Sequence, residues 1–286
     1  MSSIISGTII AQAIKDEVKK EAALLRSKGV VPGLATILVG DDPGSQVYVA
    51  SKIKACAEMG IESFHHKLPA STSEKELEEL IARLNSDKKV TGILLQLPIP
   101  KQLNTDKLIE SISPEKDVDG LTPASIGRYV SAKSWEEIEQ RKLLLPCTPF
   151  GIIEMLKQSN LEIAGKHAVV VGRSNLVGKP IAMLLLANNA TVTLAHSKTK
   201  NLEQLCATAD ILIAAIGKPK FITGKFVKKG AVVIDVGINR TGSGLCGDVD
   251  FESVKDIAGY ITPVPGGVGK MTIAMLMKNT VLATGK

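Results

Sequence analysis

The sequence predicts an α/β protein of two domains, the second a doubly wound parallel sheet. Three observations carry that prediction. Short aliphatic runs such as GLATILVG (Gly33–Gly40), VTGILLQLP (Val90–Pro98) and HAVVV (His167–Val171) alternate with stretches of helical apolar spacing. That is the order of parallel strands joined by crossover helices. Hydrophobic residues make up 44% of the 286 positions but aromatics only 3%, so the core must be aliphatic, as in strands buried on both faces. Finally, a charged stretch at 131–142, SAKSWEEIEQRK, separates two differently organised halves. The length allows two domains with cores of their own. We place the first at 1–145 and the second at 146–269, with a last helix at about 270–286 packing back on the first.

Each element has a local reason. From Ile10 to about Lys28 the apolar spacing is helical, and it stops at Gly29 and Pro32. After the strand Gly33–Gly40, Asp41-Asp42-Pro43-Gly44-Ser45 marks a turn and a helix start, with Gly60 as the stop. Ser73 and Glu76 form a capping-box pattern for a helix through Asn85. A helix from about Pro149 leads to Gly165-Lys166, then HAVVVGRSNLVGKP reads as strand, glycine turn and helix. TVTLAHSK, DILIAAIG and AVVIDVGIN supply three more strands. The last helix, Met271 to about Ala283, is expected to carry Ile273, Leu276, Met277 and Val281 on one apolar face.

Composition excludes several classes. The balance of 35 basic and 29 acidic residues leaves a mild +6, without a tract dense enough for nucleic acid. The 4 cysteines, Cys56, Cys147, Cys206 and Cys246, are far apart, so neither a zinc site nor a disulfide framework is indicated. The start, MSSIISGTIIAQAIK, lacks a signal-peptide pattern, and no stretch reaches a membrane-spanning length. A cytoplasmic protein is expected.

Several stretches bear on chemistry. Gly172-Arg173-Ser174-Asn175-Leu176-Val177-Gly178 sits where a G-x-G-x-x-G turn would, with Ser174 in the middle glycine position and the third glycine one residue late. Such a turn joins strand to helix in many proteins that bind nothing there, yet free N–H groups at the helix start also suit a pyrophosphate. The next strand ends in His196-Ser197-Lys198-Thr199-Lys200, with no carboxylate for a ribose hydroxyl. A hydroxyl and cations, with Arg173, suit the extra phosphate of NADP, and together with the glycine turn they favour NADP over a solvated basic turn. Tyr48 and Lys52 lie at i, i+4 on one helix face, ordinarily a half-buried tyrosine and a snorkelling lysine. Gln96 closes a buried strand at its C-terminal end, and KDVDG (116–120) places two acids in a turn. PVPGGVGKMT, at 263–272, is not a phosphate loop: Val264 replaces the first glycine, and Met271 the hydroxyl after Lys270.

Taken together, YVASKIKACAEMGI, QLPIP, DVDGLTP, PCTPFG, VVVGRSNLVGKP, HSKT, DVGIN, GDVD and ITPVPGGVG, in that order along nearly the whole chain, resemble the methylenetetrahydrofolate dehydrogenase/cyclohydrolase family. The resemblance implies two α/β domains around a cleft, tetrahydrofolate derivatives on the first and NADP on the second, and a homodimer without a metal. It implies oxidation of 5,10-methylenetetrahydrofolate by NADP to the methenyl cation, then hydrolysis to 10-formyltetrahydrofolate. A paralogue with only one of the two activities is the alternative, and a binding protein without chemistry is disfavoured by the matching residues. Lys52 matches the family's catalytic lysine, Gln96 its orienting partner, Tyr48 the ring that stacks on substrate, and Asp119 the carboxylate that binds the pterin. Leu95, Leu97 and the loop Pro265, Gly266, Gly267, Val268 and Gly269 match further folate contacts. Gly172, Arg173, Ser174, Ser197 and Ile238 match cofactor contacts, with Arg173 and Ser197 as in relatives that use NADP. One departure stands out: the family usually has proline where this chain has Lys270, which frees φ and adds a cation.

Overall fold

A computed structural model describes residues 2–242 and 244–284. The chain folds into two compact units, neither of them one continuous stretch. One unit holds the residues up to Gln12, Tyr129–Arg141 and Thr148–Thr272; the other holds Ala13–Arg128, Lys142–Cys147 and the residues from Ile273.

In chain order the elements begin β1 (Ser3–Ile4), α1 (Gly7–Ser27), β2 (Gly33–Val39), α2 (Pro43–Met59), β3 (Glu62–Leu68), α3 (Glu74–Ser86) and β4 (Gly92–Leu95). Four helices follow: α4 (Thr105–Glu110), α5 (Pro123–Val130), α6 (Trp135–Gln140) and α7 (Cys147–Gln158). Then come β5 (His167–Val171), α8 (Gly178–Ala187), β6 (Thr191–Ala195), α9 (Leu202–Cys206), β7 (Ile211–Ala214) and β8 (Val232–Asp235). The chain closes with β9 (Asn239–Thr241), β10 (Gly244–Cys246), α10 (Phe251–Val254), β11 (Tyr260–Ile261) and α11 (Met271–Ala283).

In the unit that contains β2, three parallel strands run in the order β3-β2-β4. The central β2 is buried throughout, and the edge strand β3 is half-exposed, as its sequence ESFHHKL allows. Helix α2 starts where Asp42 accepts from the Ser45 amide at 2.7 Å, ahead of Pro43 in the first turn. It stops at Gly60, whose φ of 73° lets its N–H reach the Cys56 carbonyl. The Ser73/Glu76 capping box forms at the start of α3, which buries Leu77, Leu80, Ile81 and Leu84 against Ile37 and Ile93. Helix α11 differs from the one-face expectation. Leu276, Met277 and Val281 are buried, but so are Met271, Ala274, Met275, Asn279 and Thr280, while Ile273 is only part-buried. A helix apolar all round is an interior helix rather than an amphipathic one.

In the other unit, six strands pair in parallel in the order β1-β11-β8-β7-β5-β6. Strand β5 lies between β7 and β6, so the winding reverses beside it, the place where open α/β sheets bind ligands. Register aligns Val171 with Ala195 and Ala214, and Ala214 with Asp235. Four strands thus end level, and their following loops emerge side by side. Val169, Val171, Leu212, Val233 and Ile261 fill the core under this sheet. Among the described residues no helix is long and apolar enough to cross a membrane, and no cluster of three or more His, Cys, Asp or Glu residues is placed to hold a metal ion.

Candidate active site

Helix α2 carries Lys52 into the interior of its unit. Its side chain shares the buried face of α2 with Val49 and Cys56 and is only 8% exposed. The Nζ atom donates to Gln96 Oε1 at 2.8 Å. Gln96 follows β4 directly; its backbone N–H bonds the Ile37 carbonyl, and its side-chain Nε2 bonds the Leu97 carbonyl at 2.6 Å. With the amide nitrogen so engaged, Oε1 is the atom turned toward the lysine. Tyr48, one turn before Lys52, is 45% exposed, so its ring is open to a ligand rather than half-buried against the core. Leu95 is buried at the end of β4 and Leu97 half-buried, the latter joined to Pro98 by a cis peptide.

The two acids of KDVDG have separate tasks. Asp117 is buried and commits its carboxylate to the amides of Leu121 and Thr122, at 3.2 and 2.8 Å. Gly120, at φ 66°, passes so close to Leu145 and Pro146 that a Cβ would lie 2.6 Å from their backbone atoms. That turn leaves Asp119 beside Lys52. Although part of Asp119 is open to solvent, its carboxyl is desolvated, and this raises its pKa; Lys52 opposes the rise and Asp117 adds to it. Burial likewise lowers the Lys52 pKa, against the pull of Asp119 and Cys147. Desolvation therefore outweighs attraction in both groups, and each is biased toward its neutral form.

Two residues of this cluster carry no signal as single letters. Cys147 donates to the Val118 carbonyl at 3.3 Å and bonds the Asp119 carboxyl; its burial pushes the thiol well above its ordinary value. Asn279 of α11 donates to the carbonyls of Val118 and Leu145, both at 2.8 Å, and so fixes the segment that presents Asp119. The motif PCTPFG pointed to the region of Cys147, but nothing in the sequence pairs residue 279 with 118.

The other unit holds a second constellation, at the level strand ends. Gly172 leaves β5 with φ 130°, and a Cβ there would lie 2.0 Å from the Ala215 carbonyl oxygen. The late third glycine is required for close packing: a Cβ on Gly178 would lie 2.1 Å from the Gly172 carbonyl oxygen. Ser174 corrects one expectation. Its Oγ accepts from the amides of Val177 at 3.2 Å and Gly178 at 3.4 Å, so those N–H groups of α8 are not free for a ligand. Arg173 and Ser174 are exposed, and beyond β6 so are Ser197 and Lys198. That turn is shaped by its own bonds, from the His196 amide to Thr199 Oγ1 and the Lys198 amide to His196 Nδ1. Guanidinium, hydroxyl and ammonium groups, with no carboxylate at the end of β6, make a donor set suited to a phosphate monoester. Ile238, after β8, is 50% exposed.

Pro265, Gly266, Gly267, Val268 and Gly269 belong to this same unit, not to the one with Lys52. Gly266 has φ 108°, and its carbonyl accepts from the Thr8 amide at 3.1 Å. The Lys270 amide donates to the Gly267 carbonyl at 3.0 Å, a bond that proline at this position cannot make. The Lys270 side chain is exposed.

Comparison with known proteins bears on both constellations. Residues 5–119 match the family model of the tetrahydrofolate dehydrogenase/cyclohydrolase catalytic domain, and residues 146–286 that of its NAD(P)-binding domain. The "Bifunctional protein FolD" of Caldicellulosiruptor saccharolyticus is 55% identical over 96% of this chain and 98% of its own length. A crystal structure of the bifunctional FolD methylenetetrahydrofolate dehydrogenase/cyclohydrolase from Campylobacter jejuni superposes with a TM-score of 0.94 at 45% identity, covering 100% of this chain and 99% of that one. The Trypanosoma brucei FolD, solved with NADP and an inhibitor, gives a TM-score of 0.91 at 39% identity, covering 99% and 97% of the two chains.

Proposed function

Since the chain belongs to the tetrahydrofolate dehydrogenase/cyclohydrolase family, we propose that Lys52, Gln96 and Asp119 carry its proton chemistry and that Tyr48 places the substrate. The protein is a bifunctional one-carbon enzyme. It oxidises 5,10-methylenetetrahydrofolate with NADP and hydrolyses the resulting 5,10-methenyltetrahydrofolate to 10-formyltetrahydrofolate. Nothing favours the single-activity alternative. NADP supplies the hydride acceptor; the chain's own residues bind, orient and move protons. The observation that carries the residue assignment is the buried Lys52 amine held at 2.8 Å by Gln96 beside a desolvated carboxyl.

In the first reaction the folate nitrogen's lone pair forms the new C=N bond as the carbon gives up hydride, so no protein base is required. In the second, water adds to the methenyl carbon and gives up both its protons in turn as the formyl C=O forms. One is released, which discharges the cation, and the other is passed to the ring nitrogen as its bond to that carbon breaks. Lys52 and Asp119, both biased toward neutrality, are suited to accept and return that proton. Tyr48 offers an open ring face for the substrate's aminobenzoyl group. Arg173, Ser197 and Lys198 would hold the phosphate that distinguishes NADP, with Gly172, Ser174 and Ile238 lining the rest. Leu95, at the end of β4, and Leu97, just after it, complete the proposed folate contacts of the unit that holds Lys52. A cytoplasmic homodimer is the part of this reading that rests on the family alone. Methenyl formation from methylenetetrahydrofolate, followed by absorbance with NADP and NAD at equal concentration, tests the whole. A clear preference for NAD would overturn the cofactor reading, and failure of methenyl to disappear would overturn the second activity.

Lys270 gives a sharper expectation. An exposed cation near a folate tail favours polyglutamylated substrate through a salt-screened attraction. Lys270→Met removes the charge but keeps the amide bond to Gly267, which Lys270→Pro would also delete. The methionine variant is expected to reduce the ratio of polyglutamate to monoglutamate kcat/KM by about two- to fivefold, the size of one exposed ion pair. An unchanged ratio, or a parent ratio indifferent to salt, would rule Lys270 out of tail recognition.

A further inference from the structure

Two buried carboxylates sit against the loops that follow β7 and β8. Asp248, between β10 and α10, has no exposed surface. Its Oδ2 accepts from the amides of Ile216 and Gly217, at 2.6 and 2.8 Å. Its Oδ1 accepts from the Lys218 amide and from Asn239 Nδ2, both at 2.9 Å. Asp235, the last residue of β8, accepts from Gly237, Asp248 and Val249 amides at 3.0, 2.9 and 3.0 Å. Two glycines make room for the pair. A Cβ on Gly247 would lie 1.7 Å from Asp235 Oδ2, and one on Gly237 would lie 2.3 Å from Asp248 Oδ1.

Three successive amides turned onto one anion form a nest, the arrangement that binds phosphates elsewhere. Here the chain's own side chain fills it. The nest begins two residues after the end of β7, in the row of strand ends where an α/β sheet binds its ligand. The exposed Ile238 lies between Gly237 and Asn239, both held by the carboxylate pair. Gly172 packs on Ala215, immediately before the nest. The loops after β5, β7 and β8 are therefore locked to one another, and three amides that could otherwise attract a phosphate are already satisfied. Burial pushes Asp235 up to about 6 in spite of its three amide donors, and the Asp248 charge adds to that rise.

We propose that Asp248 is a positioning residue for the dinucleotide: braced by Asp235, it fixes the Ile216–Lys218 turn and, through Asn239, the segment that carries Ile238. This rests on the NADP reading above. It predicts a loss confined to cofactor binding, because the hydrolytic groups belong to the other unit and hydrolysis needs no NADP. Losing the carboxylate beneath those loops should raise the NADP dissociation constant of Asp248→Ala by at least about tenfold, the effect of one or two bonds to a charged group. Methenyl hydrolysis measured without cofactor should stay within about twofold, as for any residue outside that reaction's transition state. Formate, which refills the vacated nest, should restore part of the affinity in Asp248→Ala and none in the parent. Asp248→Asn keeps the shape but turns an NH2 group toward N–H donors, so it should bind NADP weakly and ignore formate; it decides the matter if the alanine variant does not fold. Binding is read by calorimetry and folding by thermal melting. Unchanged affinity in both variants would overturn the proposal, as would hydrolysis and affinity falling together with the melting transition, which is the signature of a scaffold residue. A parent that does not bind NADP would remove the cofactor reading itself, whereas normal binding in the variants removes only the role of Asp248.

Discussion

Replacing Lys52 by methionine should lower methenyl hydrolysis by roughly 10²–10⁴-fold, the usual contribution of a general acid–base group, and cost the dehydrogenase less. Methionine keeps most of the stem's packing among Val49 and Cys56, so the change removes the amine rather than the core. The amine owes this role to its surroundings. Burial lowers its pKa while Asp119 pulls it back, and the first effect is the larger. Asp119 is shifted in the opposite direction for the same reason, so the two groups titrate as a coupled pair. The hydrolysis pH profile should therefore show a limb below the ordinary lysine range, and Lys52→Met should lose it. Dehydrogenase activity is limited only by whatever Lys52 does to place the substrate. Both rates are to be measured on one preparation, with an unchanged NADP affinity confirming the fold. Full hydrolysis by the variant would return Lys52 to a structural role.

Arg173→Ala should raise KM for NADP by roughly ten- to hundredfold and leave KM for NAD nearly unchanged, because a charge-assisted contact contributes about 1.5–3 kcal/mol. The side chain is exposed, so the effect should shrink as salt rises. Ser197 and Lys198, on the turn after β6, would share the same phosphate, which places the expectation nearer the lower end. Steady-state kinetics with the two cofactors decide the point. Equal losses with both would show that Arg173 acts on the fold or on the shared part of the dinucleotide.

Local signals were readable in the sequence where one residue determines one geometry. The Ser73/Glu76 box, the stop at Gly60 and the strand Gly33–Val39 depend on neighbours within a few positions. The tyrosine–lysine spacing on α2 was equally plain, although helical spacing alone could not say that Lys52 is buried and Tyr48 open. What was hidden depends on distant partners. Strands β1 and β11 have two residues each, too few for a period, and exist because they pair with each other and with β8. Helix α11 read as amphipathic because Asn279 and Thr280 are polar, yet both are buried and hydrogen-bonded inside. Asp117 and Asp119 look alike in KDVDG, and only the turn at Gly120 separates the structural acid from the one beside Lys52. Asp235 and Asp248 passed as parts of DVGIN and GDVD, since a pattern of letters does not reveal which amides a carboxylate will gather.

The interleaving of the two units has a consequence for how the polypeptide is made. A ribosome releases a chain in order, and domains ordinarily fold as soon as they clear it. Here the unit with Lys52 is unfinished until the residues from Ile273 have been synthesised, because Asn279 supplies the bonds that hold Val118 and Leu145. Strand β1 must likewise wait for β11, which is made later. Neither unit can then mature well ahead of the other during translation. Nascent chains halted before Ile273 should give little amide protection in β2 and β4, and release of the finished chain should protect both units nearly together; early, full protection of β2 would show that the first strands fold without their late partners.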